Sequence, residues 1–395
     1  MKRMPSLWLM VVMLMFPQIV ETIYSPALGS LAHRFAVSDA QAAQTLSVYF
    51  LAFALGVVVW GIAADKWGRR PTMLLGLLIY SCAAGLAMYT DSFAVILLAR
   101  AISAFGIAVG SVVTQTMLRD VFDGEALGKV FSLMGMGIAI SPVLGMLLGG
   151  QLAQMGGYRW VFMALQMMAL TLLLYNVFML PETQTQRQTA AQPMGLWGLV
   201  LKMVSDRHIW QSAWLVALYN IALFSYYQLG PFVFTHLGLN AEQFGYSGVV
   251  LGGSTLAGSY INRMLLSKCV SQQVLLRLSA ALLTVGALGV FVVGDTLLMG
   301  CIPVFLIPMV CVVAAFGIAI PNVLSQALVA YKQQAGSAGA ILGLMYYVLI
   351  GVGLTLAGSV QALGSVLIVC AVITLGVTFL SCHVNRAEQA QSRIG

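Results

Sequence analysis

Long apolar runs separated by short polar segments make up almost the whole chain. The first run, residues 4–32, contains Glu21 as its only charged side chain between Arg3 and the His33–Arg34 pair. A helix needs roughly 20 apolar residues to cross the ~30 Å hydrocarbon core of a bilayer, so this run predicts a spanning helix. A signal peptide is the alternative, but the apolar run is too long and no small-residue cleavage site follows it.

The same alternation of apolar runs and polar breaks continues along the chain and predicts twelve spans. An even number of spans places both termini on the same side of the membrane. The predicted spans lie near residues 5–30, 40–64, 72–90, 93–118, 127–153, 159–180, 210–235, 243–262, 273–294, 297–320, 337–358 and 362–382.

Basic residues are distributed unevenly over the loops between these spans. Nearly all Lys and Arg residues lie in loops on the side of Met1, whereas the loops on the other side hold Arg34 and Arg159. The positive-inside rule therefore predicts a multi-pass protein of the bacterial inner membrane with both termini in the cytoplasm. The net charge of +7 reflects this topology. Because the basic residues are spread over separate loops, we expect no nucleic-acid partner.

The composition agrees with a membrane protein, since 60% of residues are hydrophobic, 8% are charged and the mean hydropathy is +0.94. The six cysteines have no paired spacing and the four histidines no ligand-like grouping, so we expect no disulfide framework, metal or cofactor. The sequence has no HExxH, CxxC, GxSxG or Walker A pattern, which argues against a membrane-embedded enzyme or receptor. We expect the protein to be a monomer in the lipid bilayer.

A polar segment, PETQTQRQTAAQP at residues 181–193, divides the chain into two halves of six spans. The predicted domains are a first bundle at 1–182, a linker at 183–207 with a short amphipathic helix, and a second bundle at 208–395. Gly61-x-x-x-Asp65-Lys66 after span two is echoed by Gly258-x-x-x-Asn262-Arg263 after span eight. Internal repeats around a central site are typical of transporters, although this short echo alone is equally compatible with coincidence.

The segment GIAADKWGRRP, residues 61–71, resembles the motif G-x-x-x-D-[RK]-x-G-[RK]-[RK] of the major facilitator superfamily. Its two glycines permit a tight turn, and Asp65 is expected to face the positive N-terminal end of span eleven, which begins with GSAGA at 336–340. Arg69 is expected to pair with Asp120. The alternative is a basic loop that only fixes orientation. The predicted gating residues here are Gly61, Asp65, Gly68, Arg69, Arg119 and Asp120.

Span five contains GMGIAISPVLGMLLGG, residues 135–150, in which Ser141, Gly145 and Gly149 recur every four residues. Small residues at this spacing allow close helix packing, and Pro142 can bend the helix. The stretch resembles the span-five motif of antiporters in the same superfamily, with Ser141 where glycine usually precedes the proline. We expect Pro142, Gly145 and Gly149 to take part in gating; packing alone is the alternative.

Arg100 in span four and Glu21 in span one lie at similar predicted depths, so they are candidates for one central cavity and are the predicted proton-coupling residues. Intramembrane charges are costly and are by default functional. Low dielectric favours a protonated carboxyl and a nearby cation favours an ionised one, so Glu21 is expected to exchange a proton against a substrate. The alternatives are an Arg100 that snorkels to the membrane surface and a protonated Glu21 that hydrogen-bonds the next helix.

The stretch ETIYSPAL, residues 21–28, resembles the first span of the Bcr/CflA branch of the drug:proton antiporters (DHA1 group), which typically reads T-D-M-Y-x-P-A-L. The resemblance covers the first half of the chain; in the second half it is mainly span count and length. It implies export of drugs in exchange for protons. The acid of the branch would fall at Thr22, so in this chain it is displaced by one residue to Glu21.

Aromatic and amide side chains in spans one, two, seven and eleven are candidates for an adaptable substrate pocket, because aromatic faces attract cations. Membrane-interface belts and helix packing explain such residues equally well. The predicted substrate-binding residues are Gln18, Tyr24, Tyr49, Phe53, Tyr219, Asn220, Phe224, Tyr226, Tyr227, Tyr346 and Tyr347.

The sequence therefore predicts an all-α membrane protein of twelve transmembrane helices in two pseudo-symmetric six-helix bundles. The predicted function is proton-coupled efflux of amphipathic, often cationic drugs by alternating access. The alternative is an exporter dedicated to one metabolite, such as a siderophore, a sugar or an amino-acid derivative.

Overall fold

The computed structural model describes residues 5–184, 196–295 and 302–391, and within these ranges no strand is present. Short 3-10 segments precede α2 (Ser25–Ala27) and α12 (Val329–Gln334). The helices are α1 Leu7–Ile23, α2 Leu28–Phe35, α3 Asp39–Trp67, α4 Arg69–Tyr89, α5 Phe93–Val121, α6 Gly124–Met179, α7 Leu196–Ser205, α8 Arg207–His236, α9 Ala241–Ser267, α10 Gln272–Asp295, α11 Ile302–Ala327, α12 Ala335–Val360 and α13 Leu363–Gln391.

The helices account for the twelve predicted spans. Eight segments of the described chain are long and apolar enough to cross a membrane; α1 and α2 together form the first of them, and α6 contains two spans. Of the others, α8 and α9 have spanning length at 30 and 27 residues. The last span, α13, carries the apolar stretch Leu363–Phe379. The predicted twelve-helix architecture is confirmed.

The loop expected between spans five and six is a sharp kink within α6. Gly157 has a φ of 64°, in the left-handed region that favours glycine. At Gly156 an added Cβ would lie 1.7 Å from Cδ1 of Trp160, so the indole occupies the space that a side chain would need. Two consecutive glycines therefore reverse the chain without a polar loop.

The two halves are α1 to α6 and α8 to α13, and equivalent helices begin in the same way. At the start of α3, Ser38 and Gln41 form a capping box, and Asn240 and Gln243 form the same arrangement at the start of α9. This shared cap supports the pseudo-symmetry of the bundles.

The helix α7 lies in the predicted linker, of which residues 185–195 fall outside the described residues. It buries Leu199 and Met203 in an apolar cluster with Ile209 and Ile341 of the second half. Its Trp197 is exposed. The linker helix thus packs on the second half, while the domain limits at 182 and 208 stay predictions.

We call the side at which α1 begins and α13 ends the termini face, and the other side the opposite face. Near the opposite face, the buried amide of Gln228 in α8 joins both halves. It donates hydrogen bonds to the backbone oxygen of Ala43 at 2.9 Å and to Ser47 Oγ at 3.1 Å, both in α3, and to the backbone oxygen of Leu354 in α12 at 3.1 Å. We call this arrangement the Gln228 clamp.

Glycines bring α6 and α9 together at the same level. A Cβ added at Gly245 would lie 2.7 Å from the backbone oxygen of Met146 and 3.0 Å from the Cα of Gly150. Nearer the termini face, a Cβ added at Gly135 of α6 or Gly253 of α9 would meet no atom within 4 Å. Near the middle of α9, a Cβ added at Gly252 would meet the side chain of Val143 of α6. The close contacts between the two backbones therefore lie toward the opposite face, and side-chain contact continues to the middle of the helices.

Candidate functional site

Glu21 lies at the centre of the molecule, where residues of both halves surround it. Its side chain is 2% exposed, and Oε1 has no hydrogen-bond partner. The carboxyl lies within electrostatic range of Arg100 and Tyr49 in the first half. In the second half it lies within range of Tyr227 and of the Tyr346–Tyr347 pair. The carboxyl of Glu21 is thus within electrostatic range of residues on α3, α5, α8 and α12.

Arg100 is held between two aromatic rings. Its guanidinium carbon lies 4.1 Å from the ring centre of Tyr24 and 4.6 Å from that of Tyr49. The side chain is 1% exposed, Nε and Nη2 have no hydrogen-bond partner, and within the described chain no carboxylate lies within 4.0 Å of it. Arg100 therefore stays inside the first half and does not extend to the membrane surface.

Thr22, the residue next to Glu21, faces α6 and not the centre of the molecule. Thr22 Oγ1 donates to the backbone oxygen of Gln18 at 2.9 Å, and a Cβ added at Gly145 of α6 would lie 2.0 Å from it. Thr22 therefore packs against α6, while Glu21 faces the centre. The acid that the resembled branch would place at residue 22 would here point into a helix contact.

A chain of rings leads from Arg100 across the boundary between the halves. Tyr49 stacks on Phe53 with ring centres 6.0 Å apart, and Phe53 meets Tyr347 at 4.9 Å. Tyr346 and Tyr347 are half-buried and lie 4.5 Å apart. The candidates that the structure brings together in the ring cluster beside Glu21 and Arg100 are Tyr24, Tyr49, Phe53, Phe224, Tyr227, Tyr346 and Tyr347.

Other substrate candidates turn away from this centre. Tyr219 shares a hydrogen bond of 2.7 Å with Ser279, and Tyr226 donates to Ser247 at 2.6 Å, both within the second half. Asn220 donates back to its own helix, to the oxygen of Val216 at 2.7 Å. The half-buried Gln18 of α1 is tied to Thr22 through its backbone oxygen.

Two aromatic residues of the centre are absent from the sequence-based set. Phe50 meets Phe224 of the second half edge-on at 4.6 Å. Tyr80 of α4 is buried within electrostatic range of Arg100 and packs on Phe16. Phe50 lies three residues before Phe53, so the helical period was the signal that could have indicated it.

Arg69 organises the predicted gating loop, the turn between α3 and α4. Its Nε binds Asp120 Oδ2 at 2.9 Å, and its Nη1 binds Asp65 Oδ1 and the oxygen of Ala64, each at 2.7 Å. Gly68, with a φ of 103°, forms the turn. Asp65 is 72% exposed and lies against Arg69. The expected contact of Asp65 with the start of α12 stays a prediction.

The remaining gating candidates lie on two surfaces. Near the start of α12, Arg119 Nη1 is 3.7 Å from a Cβ added at Gly336, and Gly61 of α3 faces Val112 of α5. Gly145 and Gly149 of α6 face α1, and a Cβ added at Gly149 would lie 2.2 Å from the oxygen of Ile23. Pro142 lies inside α6, one turn before Gly145 and two turns before Gly149.

Glu182 is a member of the gating loop that the sequence reasoning missed. Its carboxylate accepts hydrogen bonds from the backbone N–H groups of Arg69 at 3.0 Å and Arg70 at 3.1 Å. These donors open α4, whose N-terminus attracts negative charge. Next to it, Thr183 donates to Asp120 at 3.2 Å, and Gln184 donates to the oxygen of Asp65 at 2.7 Å. An acidic residue in the PETQ segment after span six was the available signal.

Replacing Glu182 with Gln should destabilise the gating loop, because an amide has only one acceptor atom and no charge to offer these donors. We expect a loss of about 1 kcal/mol in folding stability, the scale of a hydrogen bond to a charged group at an exposed site. Thermal unfolding of the purified protein measures it. Glu125→Gln is the matched control, since Glu125 forms an exposed pair with Lys129. Equal melting temperatures for the two variants would contradict the assignment.

Several characterised and uncharacterised transporters resemble this chain. A transporter of Rickettsia felis without an assigned function is 28% identical over 87% of this chain and 86% of its own length. Multidrug resistance protein D of Escherichia coli is 32% identical over 46% of this chain and 47% of its own. Multidrug resistance protein MdtL of Shewanella oneidensis is 26% identical over 84% of this chain and 82% of its own.

Solved transporter structures share the fold. A nucleoside transporter superimposes with a TM-score of 0.75 at 14% identity, covering 95% of this chain and 98% of its own. A D-xylose-proton symporter superimposes with a TM-score of 0.71 at 16% identity, covering 93% of this chain and 96% of its own. With its spanning helices and bacterial relatives, the chain is a multi-pass protein of the inner membrane. The model of the Major Facilitator Superfamily matches residues 9–354; the chain therefore belongs to that family, as a transporter and not an enzyme.

Proposed function

We propose that this transporter is a proton-coupled multidrug efflux antiporter that exports amphipathic, often cationic compounds by alternating access. The observation that carries the proposal is Glu21, a carboxyl that is 2% exposed and within electrostatic range of residues from both halves. Ionisable groups at such depth in a membrane commonly mark proton and substrate pathways. The relatives named for multidrug resistance support the drug substrates.

The ring chain supplies a surface for apolar and cationic substrates. Aromatic faces attract cations, and the rings of Phe53 and Tyr347 come from different halves. A substrate held there contacts both bundles, so its binding depends on how the bundles are placed. This is the differential affinity that a conformational cycle requires.

The Gln228 clamp and the contact at Gly245 join the halves near the opposite face. With the predicted orientation, both termini and the substrate entrance lie on the cytoplasmic side. An amphipathic compound enters from the cytoplasm or the inner leaflet and binds beside ionised Glu21. After the clamp opens, a proton from the periplasm neutralises Glu21, and the substrate leaves. One monomer is sufficient for this cycle.

Transport into inside-out membrane vesicles tests the proposal. Vesicles carrying the protein should accumulate a lipophilic cation such as tetraphenylphosphonium when the interior is acidic, and accumulation should stop when nigericin collapses the pH gradient. Vesicles without the protein provide the background. Uptake that is indifferent to the gradient for tetraphenylphosphonium and for a panel of neutral drugs would contradict proton antiport.

A further inference from the structure

The guanidinium of Arg100 has hydrogen-bonding capacity that the protein does not use. Nε and Nη2 are buried without a partner, and the side chain is 1% exposed. The rings of Tyr24 and Tyr49 stabilise its charge through their faces, but a ring face does not replace an in-plane acceptor for the N–H groups. A buried N–H without an acceptor is destabilising, and more so when the group is charged.

Within the described chain, no carboxylate meets this demand. Glu21, the nearest acidic candidate, forms no ion pair within 4.0 Å, and its own Oε1 has no hydrogen-bond partner. The site therefore presents a carboxyl that attracts cations and, separately, a guanidinium fork that fits a carboxylate or a comparable pair of acceptor oxygens.

The side chains between Arg100 and the boundary of the halves are rings. Tyr49 lies against Arg100, Phe53 stacks on Tyr49, and the half-buried Tyr347 follows. A planar ligand that replaces these ring contacts brings its polar end to Arg100 and keeps its apolar surface among aromatic groups.

Resting on the proposed function, we propose that Arg100 is a specificity-determining residue that binds an acceptor oxygen of the substrate directly. The substrate class is aromatic amphiphiles that carry both a cationic group and a carboxylate or similarly strong acceptor. The cationic end lies toward Glu21 and the acceptor end toward Arg100. Cations without such an acceptor bind through the rings and Glu21 alone.

Two dyes that share one cationic ring system separate these contributions. Rhodamine 110 carries a free carboxylate, and in rhodamine 123 the same group is a methyl ester. Equilibrium dissociation constants are measured by fluorescence anisotropy with the protein in lipid nanodiscs, so that proton coupling does not enter the result. In Arg100→Gln we expect the dissociation constant of rhodamine 110 to rise by about tenfold or more, the scale of one charge-assisted hydrogen bond. Rhodamine 123 should bind equally well or more tightly, because a positive charge has been removed.

Glu21→Gln is the complementary variant, and it should weaken both dyes by a similar factor because the cationic ring system is common to both. If Arg100→Gln does not fold, Arg100→Lys replaces it; lacking the planar fork, it should weaken rhodamine 110 selectively, by a smaller factor. Equal loss of both dyes in the arginine variants, or no loss of rhodamine 110, overturns the inference. Undetectable binding of both dyes to the wild type also overturns it.

The vesicle assay with tetraphenylphosphonium, which has no acceptor oxygen, distinguishes this failure from failure of the proposed function. If the gradient drives uptake of that cation but the Arg100 variants leave the ratio of the two dyes' dissociation constants unchanged, only the role of Arg100 is rejected. Absence of gradient-driven uptake for every compound rejects the antiport function itself.

Discussion

Replacing Glu21 with Gln is expected to abolish proton-driven export while the protein still inserts and folds. The amide has nearly the shape of the protonated carboxyl but cannot gain or lose a proton. Export of cations should suffer most, because an ionised carboxyl attracts them and an amide does not; neutral substrates should keep part of their binding. Glu21→Asp keeps the acid with a shorter reach and should retain partial activity.

Proton release in detergent solution measures this effect without a membrane gradient. Adding a cationic drug to the unbuffered wild-type protein, over a series of starting pH values, should release protons where Glu21 is partly protonated. Glu21→Gln should release none. Glu125→Gln is the control, since it removes an exposed acid with no role in the site. Equal release from wild type and Glu21→Gln would move the proton site elsewhere, with Asp120 as the next candidate.

The neighbouring position provides a further control on this result. Thr22→Asp, placed in the Glu21→Gln background, restores an acid at the residue where the Bcr/CflA pattern has one. Thr22 packs against Gly145 of α6, so the new carboxylate would be forced into a helix contact. We expect no recovery of export. Recovery would mean that α1 rotates enough to exchange the two positions.

Replacing Gly245 with Val is expected to prevent closure at the opposite face. The new Cβ would lie 2.7 Å from the backbone oxygen of Met146, and backbone atoms of a packed helix cannot move aside as a flexible side chain does. Overpacking of this kind costs about 1 to 3 kcal/mol, enough to shift a two-state equilibrium by roughly tenfold. Export should fall because one of the two alternating states is lost.

A cysteine pair across the closed interface reports this shift. Gln44 Nε2 and Ser359 Oγ lie 3.4 Å apart on α3 and α12, so a short bifunctional thiol reagent should cross-link Gln44→Cys to Ser359→Cys when the opposite face is closed. The native cysteines are first replaced by serine. Gly245→Val should lose the cross-link, whereas Gly253→Val on the same helix, where a Cβ meets nothing within 4 Å, should keep it. A normal cross-link and normal export in Gly245→Val would contradict the gating role.

The spans and the motif loop could be read from the chain because their signals are local. Hydropathy and loop charge need no knowledge of neighbours, and a glycine turn such as Gly68 is visible in the motif itself. The substrate set was harder, since α8 is rich in aromatic residues on more than one face. Tyr219 and Tyr226, seven residues apart, share a face toward the second half, whereas Phe224 and Tyr227 meet the centre. Helical periodicity separates these faces but does not say which one points inward.

Contacts between residues that are distant in sequence could not be predicted either, because the sequence pattern does not show how the helices pack. Glu182 binds backbone groups more than one hundred positions earlier, and Gln228 joins α3 to α12. The acidic residue after span six indicates a charged loop, but the sequence does not indicate which groups Glu182 or Gln228 binds, because backbone carbonyls and N–H groups are present at every position. Only the packing of the helices selects which of them is reached.

The two ends of the molecule differ in how they should respond to salt. The Gln228 clamp consists of a neutral amide bound to backbone oxygens and a hydroxyl, all buried. Across the halves at that end, the contact of His236 with Asp39 is long, at 3.8 Å, and exposed. At the termini face, Asp65, Arg69, Asp120 and Glu182 form a network of full charges in which Asp65 is largely exposed to solvent, where dissolved ions screen it. With the predicted orientation, the contact between the halves that faces the environment is insulated from changes in external salinity, and the ion-sensitive network of the predicted gating loop faces the cytoplasm, whose ionic strength the cell itself controls.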